Sequence, residues 1–330
     1  MPGFTTHYLF GQQTYQHLHT SGLKQNIQKY HKVFSLGLQG PDIFFYDILS
    51  LILSDKNPGS VAHTADTHRF LRYLLESPQI FIQNKEKEIA RAYIMGFIGH
   101  YLLDTACHPY VYAMTDVKRP QKGYIGRHIR LETDLDTVLL WFYQRRRPSE
   151  FKQNETIHIT REQRTVVSSL LNYAFTQTYP GVGPTRKRIV QAIHGMQVGT
   201  RLLYDPTGHK KLLIRRIESV IPGYPLLSPL VANDHLLFHK DPCNTRHVPW
   251  RNPWDEEIVS TESFFDLFEK AQDEYSRLFE RAAQFLEEEH TKEEKEEAVF
   301  KVLKELGNRC YHSGLSAEVF KERGWRPKKR

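Results

Sequence analysis

The sequence predicts an all-α protein, and three observations carry that prediction. Apolar residues recur at spacings of three and four along most of the chain, strand-like alternation is scarce, and two capping boxes, Thr160-x-x-Gln163 and Thr291-x-x-Glu294, open amphipathic runs. Helices are expected over roughly 6–20, 60–76, 86–108, 127–145, 162–178, 186–203, 261–289 and 292–306. In the second of these, Phe70 and Leu71 follow two histidines. In the third, Ile89, Ala92, Tyr93, Met95, Ile98, Tyr101 and Leu102 predict a largely buried helix. Pro109 disfavours α geometry at His108, so this helix is expected to end there and turn His108 out of the regular path. Residues 115–126 read as a loop rich in Pro, Gly and Lys. After it, Leu131, Leu135, Val138, Leu139 and Phe142 mark the apolar face of the next helix. Pro222, Pro225, Pro229, Pro242, Pro249 and Pro253 forbid a long helix between Ile221 and Trp254 and predict an irregular excursion over the helical body. The alternating charges from Glu280 to Glu305 suit a solvated helix face laced with i,i+4 pairs. The expected organisation is a helical core over 1–220, a proline-rich segment over 221–258 packed on it, and helices over 259–330 in the same domain.

Composition narrows the classes. The 330 residues carry 45 Lys+Arg against 38 Asp+Glu, a net charge of +7, which is mildly basic rather than histone-like. With 40% hydrophobic and 12% aromatic residues the chain is not disordered and can build a sizeable core. The basic clusters at 145–147, 186–188, 210–211 with 215–216, and 328–330 are dispersed, and read as surface charge unless they converge into a nucleic-acid stripe. Three scattered cysteines make no disulfide framework and favour a reducing compartment. The first residues show no signal-peptide pattern and no apolar run reaches 18 residues, so a soluble cytoplasmic protein is expected.

Histidine stands out. Of 17, nine fall in the first 132 residues. His100, Asp104 and His108 at i, i+4 and i+8 share a helical stripe about 80° wide, and their neighbours Gly96, Phe97, Leu103 and Cys107 are small or apolar. A carboxylate carried into such a face without Lys or Arg nearby is costly to bury, and a cation accounts for it. His128 and Glu132 repeat the i,i+4 spacing, which suits two side chains on one ion. His63 and His68 lie about 140° apart on a helix, so only one of them faces the interior. His7 and Asp42, in THYLFG and GLQGPDIFFY, complete the series. Cys107 points about 100° from His108 and reads as a small buried residue rather than a thiolate ligand. His235 and His239 are a weaker i,i+4 pair in the proline-rich segment, where Trp250 and Trp254 read as anchors on the helices.

The series His7, Asp42, His63, His100-x3-Asp104-x3-His108, His128-x3-Glu132, with its flanks THYLFG, GLQGPDIFFY and HTADTHRFL, resembles the zinc-dependent phospholipase C family, related to the S1/P1-type nucleases, over residues 1 to about 140. The resemblance implies an all-α phospholipase C/P1 nuclease-like fold with two or three Zn²⁺ ions. It implies one zinc on His63, His100 and Asp104, a second on His108, His128 and Glu132, and a third on His7, with Asp42 bridging the third to the first. His63 is chosen over His68 because A-H-x3-T-x2-F-L matches the family's segment. Secreted relatives complete the third site with an N-terminal Trp, which this chain lacks. Removal of Met1 would leave Pro2 five residues before His7, the separation found in the nuclease branch, so occupancy of the third site stays open.

The chemistry implied is metal-assisted hydrolysis of a phosphodiester, phospholipase C-like, with Asp42 orienting or deprotonating the attacking water. The expected substrate is a phospholipid or another small phosphodiester, with peripheral membrane contact. Two alternatives stand beside it. A nuclease would need base-stacking aromatics such as Tyr110, Tyr112 and Tyr124 together with convergent basic residues, and a metal-binding interaction domain would have lost catalysis.

Overall fold

The computed structural model describes residues 3–46, 57–64, 66–117, 123–181, 183–220, 225–234, 241–288 and 291–318. Pro2, the pair His235 and His239, and the basic cluster at 328–330 lie outside the described residues.

The molecule is all-α, arranged around one long buried helix. The first helices are α1 (Phe4–His17), α2 (Gly22–Lys29) and α3 (His31–Gly37), followed by a 3-10 segment, Gly40–Tyr46. Then come α4 (Pro58–Thr64), α5 (Thr67–Glu76), α6 (Asn84–Met114), α7 (Tyr124–Gln144), the single turn α8 (Gln153–Thr156), α9 (Arg161–Thr178), α10 (Arg186–Leu203) and α11 (His209–Ser219). A two-stranded antiparallel hairpin, β1 (Trp250–Asn252) and β2 (Asp255–Ser260), precedes α12 (Phe264–Glu287) and α13 (Lys292–Leu306). No helix of the described residues is long and apolar enough to cross a membrane.

Helix α6 is the axis, and α3 and α12 pack along it. The crossing with α3 is made at two glycines. A Cβ on Gly37 would collide with the Tyr93 carbonyl and one on Gly96 with the Phe34 carbonyl, so only glycine lets the backbones approach this closely. The chain leaving α3 then turns at Gly40, φ +50°, against the His100 ring. This contact brings the 3-10 segment, and Asp42 with it, onto the polar stripe of α6.

Several boundaries differ from expectation. Pro109 does not end α6; the helix runs on to Met114 with His108 inside it. The Thr105 carbonyl, which finds no amide at Pro109, lies against Gly314, whose φ of +66° and missing side chain admit the contact. The expected helix over 60–76 is divided into α4 and α5, with Asp66 left-handed at φ 46°. The proline-rich segment contains the hairpin, which its few alternating residues did not announce. Both predicted capping boxes form: Thr160 with Gln163 and Thr291 with Glu294 exchange their side-chain and amide bonds. Arg281 pairs with Glu305 across the charged α12–α13 face.

After α13 the chain turns at Gly307 and re-enters the interior. Tyr311 and Ser313 are buried there, and an isolated bridge joins Arg309 to Ser316. The loop is pinned by Tyr101, whose hydroxyl donates to the Gly307 carbonyl at 2.9 Å, and by Asn252, whose amide donates to the Ser313 carbonyl at 2.9 Å.

Candidate metal centre

The polar stripe of α6 faces inward. His100, Asp104 and His108 are wholly buried, and α1, the 3-10 segment and α4 bring His7, Asp42 and His63 against them. Three of the imidazoles are oriented by main-chain carbonyls. Nδ1 of His63 donates to Gly59 at 2.7 Å, Nδ1 of His100 to Leu38 at 3.2 Å, and Nδ1 of His108 to Tyr311 at 2.8 Å. A carbonyl only accepts, so each Nδ1 carries a hydrogen and each Nε2 is the atom left to face the cluster.

The Nε2 atoms of His7, His63 and His100 meet carboxylate oxygens. His7 Nε2 lies 3.2 Å from Asp104 Oδ1, His100 Nε2 3.2 Å from Asp104 Oδ2, and His63 Nε2 3.3 Å from Asp42 Oδ1 and 3.6 Å from Asp104 Oδ2. The angles are poor for hydrogen bonding. The Nε2 atoms of His7, His63, His100 and His108, Asp42 Oδ1 and both Asp104 oxygens are buried without a hydrogen-bond partner. An orphaned polar atom of this kind costs about 1–3 kcal/mol, and several together are tolerated only where something else satisfies them. Two triads, His7–Asp42–His100 and His63–His100–Asp104, each place one donor atom per residue within 4.8 Å of the others and are able to hold a metal ion. Imidazole nitrogen and carboxylate oxygen are a donor set that suits zinc. Asp104 turns one oxygen toward His7 and the other toward His63 and His100, so it shares with Asp42 a place between the two groups.

His128 and Glu132 sit one turn apart on α7, with Nε2 2.9 Å from Oε1. The Tyr112 ring joins this pair to the cluster, lying 5.0 Å from His128 and 5.6 Å from His108. His68 faces elsewhere, its Nε2 3.1 Å from the Leu303 carbonyl on α13. Cys107 is buried, and burial with Asp104 nearby pushes its thiol well above the ordinary range. Tyr110 is packed between Trp250 and Phe264 and is not free to stack on a base.

Charge in the site is shared. Burial favours neutral Asp104, but His100 and His108 hold the carboxyl well below the usual range. Burial would strip the proton from His63, yet Asp104 and Asp42 outweigh it and push the imidazole up to about 9. His7 goes the other way, lowered by burial and by neighbouring His100.

Several residues that build the site carry no sequence signal. Asp136 on α7 accepts the amides of Thr5 (3.0 Å) and Thr6 (2.8 Å) and the Thr6 hydroxyl (2.6 Å), fixing the start of the helix that carries His7. Burial raises its carboxyl to about 6 against the pull of those donors. Asn57 does the same for α4, accepting the amides of Gly59 (2.8 Å) and Ser60 (3.3 Å) ahead of His63. From the far end of the chain, Tyr311 packs its ring 4.7 Å from His63, and His312 lies 6.2 Å from His63, 6.1 Å from His108 and 5.4 Å from Tyr112. Burial lowers His312 to about 3, so it is a neutral imidazole at the edge of the cluster.

The fold and the site together are those of an all-α protein with a buried His/Asp cluster able to hold metal. The sequence profile of zinc-dependent phospholipase C matches residues 6–180, and the chain belongs to that family. No curated protein and no solved structure matches it. The matched segment contains every residue of the cluster from His7 to Glu132 and stops short of the loop that brings Tyr311 and His312.

Proposed function

We propose that the protein is a zinc-dependent phosphodiester hydrolase of phospholipase C type. The observation that supports this best is the convergence of the buried Nε2 atoms of His7, His63 and His100 on Asp42 and Asp104 oxygens that find no hydrogen-bond partner. In this reading His63, His100, Asp104 and Asp42 hold one zinc, His7 with the shared carboxylates holds another, and His108, His128 and Glu132 hold a further one, two or three ions in all. Zinc bound there would polarise phosphoryl oxygens and make water acidic enough to supply hydroxide near neutral pH.

The chain's own groups do the rest. The backbone acceptors Gly59, Leu38 and Tyr311 keep each imidazole in one tautomer, so no rotation is needed when the site fills. Asp42 Oδ1, unpaired and 3.3 Å from His63, is the atom that orients the attacking water and takes its proton. Neutral imidazoles add no negative charge, so zinc held there would outweigh the Asp42, Asp104 and Glu132 carboxylates and leave net positive charge for an anionic phosphate, and the packed Tyr311 ring excludes bulk water from the histidines. Cys107, Cys243 and Cys310 are free thiols, which suits work in the reducing cytoplasm.

The test is metal analysis of the purified protein with assays on phosphatidylcholine, a generic phosphodiester and single-stranded nucleic acid. Zinc at two or three equivalents and cleavage of the lipid or generic diester are expected, both lost in Asp104→Ala. Equal zinc and equal activity in that variant would overturn the assignment, and a preference for nucleic acid would move it to the nuclease branch.

A further inference from the structure

We propose that α11, with Leu226 and Leu227 beyond it, forms a docking surface for anionic phospholipid membranes. Helix α11 buries none of its residues. The side turned away from the body carries Leu213, Ile217 and Val220, which are 61%, 56% and 81% exposed, and Leu226 and Leu227 of the following loop are also exposed. This is the reverse of an ordinary surface helix, whose apolar stripe turns inward.

The patch is held in shape. Glu218 accepts the amides of Leu226, Leu227 and Ser228 at 2.6–3.0 Å, which holds these three residues against the end of α11. Lys211 Nζ reaches the Val231 carbonyl at 2.6 Å, and the Thr133 hydroxyl donates to the Pro229 carbonyl at 2.8 Å. Thr133 follows Glu132 on α7, so the patch is mounted on the helix that carries the His128–Glu132 pair.

Charge chooses the occupant. From 200 to 230 the chain has Arg201, Lys210, Lys211, Arg215 and Arg216 against Asp205 and Glu218 alone. Both acids are spent on backbone amides, Asp205 on Lys210 and Lys211 and Glu218 on the loop. Arg201, Arg215 and Arg216 are exposed and make no ion pair among the described residues. Flexible aliphatic side chains with arginines beside them, on a convex helix without aromatic anchors, fit the boundary between lipid headgroups and acyl chains better than a protein pocket. For its purpose, presenting the site to lipid, the surface rests on the hydrolase reading. Its test does not.

Full-length protein is sedimented with large vesicles of phosphatidylcholine alone or mixed with phosphatidylglycerol. Wild type is expected to partition onto the mixed vesicles, less so as salt rises. Leu213→Glu with Ile217→Glu should lower that partitioning at least tenfold. Removing the two arginines, Arg215→Ala with Arg216→Ala, should lower it by roughly 30-fold, about fivefold for each charge near the surface. Both variants should keep the wild-type helical circular dichroism and thermal transition, which shows that they fold. The proposal fails if wild type binds mixed vesicles no better than the Glu variant. It also fails if light scattering shows a wild-type dimer that the Glu variant turns into a monomer, which would assign the patch to a second copy. Vesicle binding without any hydrolysis would leave this surface standing and sink the hydrolase instead.

Discussion

Along the interior of α6, imidazole and carboxylate atoms without hydrogen-bond partners are enclosed beside Tyr101, Leu103 and Cys107, whereas along α11 leucine and isoleucine side chains stand in solvent. The two regions break the burial rule in opposite senses. In the first, polar atoms lack water and partners; in the second, apolar atoms lack cover. A chain that kept only what stabilises its own fold would have neither, since each unmade hydrogen bond and each exposed large aliphatic side chain costs on the order of 1–3 kcal/mol. In the readings proposed above, both regions are completed from outside the chain, by cations for one and by a lipid surface for the other.

The comparison is broken most severely at Asp104. Asp104→Ala removes the carboxylate of the His63–His100–Asp104 triad, whose other oxygen faces His7; loss of zinc and a fall in phosphodiester hydrolysis on the order of 10³-fold are expected, read by metal analysis and steady-state rates. Next is Asp136→Ala, which leaves the donor atoms intact but frees the start of α1. Destabilisation of about 1–2 kcal/mol is expected in denaturant titration, with zinc affinity lowered about 10–100-fold.

A pH titration probes the same cluster more gently. In the metal-free protein His63 keeps its proton up to about 9, above its ordinary 6.5. Its contribution to stability is therefore full below 6.5 and lost as pH rises through 9. Zinc must displace that proton, so calorimetry should show proton release, and affinity should fall by up to about tenfold per unit as pH drops from 9 toward 7. The smallest effect belongs to the histidine that shares a segment with His63 but not its face. His68→Ala should leave zinc content unchanged and cost about 1 kcal/mol or less, the worth of its bond to Leu303.

The parts of the site that could be read from sequence are those whose geometry is local. His100, Asp104 and His108 share a stripe because a helix repeats every 3.6 residues, and His128 and Glu132 pair for the same reason. The carbonyls of Leu38, Gly59 and Tyr311 could not be read, because every residue has a carbonyl and only folding decides which one meets an imidazole. Asp136 and Asn57 are ordinary capping residues that act on a helix elsewhere in the chain or on an unforeseen short one. Pro109 misled because the rule against proline within a helix assumes that the surroundings cannot accommodate the Thr105 carbonyl, and Gly314, without a side chain, leaves room for it. Helix α11 escaped notice because its apolar residues do not face a core; only its cations, Lys210, Lys211, Arg215 and Arg216, drew attention.

The carbonyl of Tyr311 that orients His108 enters the site from more than 200 positions along the chain. A nascent polypeptide that has emerged only as far as residue 180 carries all of the expected metal-binding side chains, but neither that acceptor nor the loop that packs over His63. Were zinc held as proposed, its uptake in final form would follow translation of the last helices, and metal occupancy would become a record that synthesis and folding have both been completed.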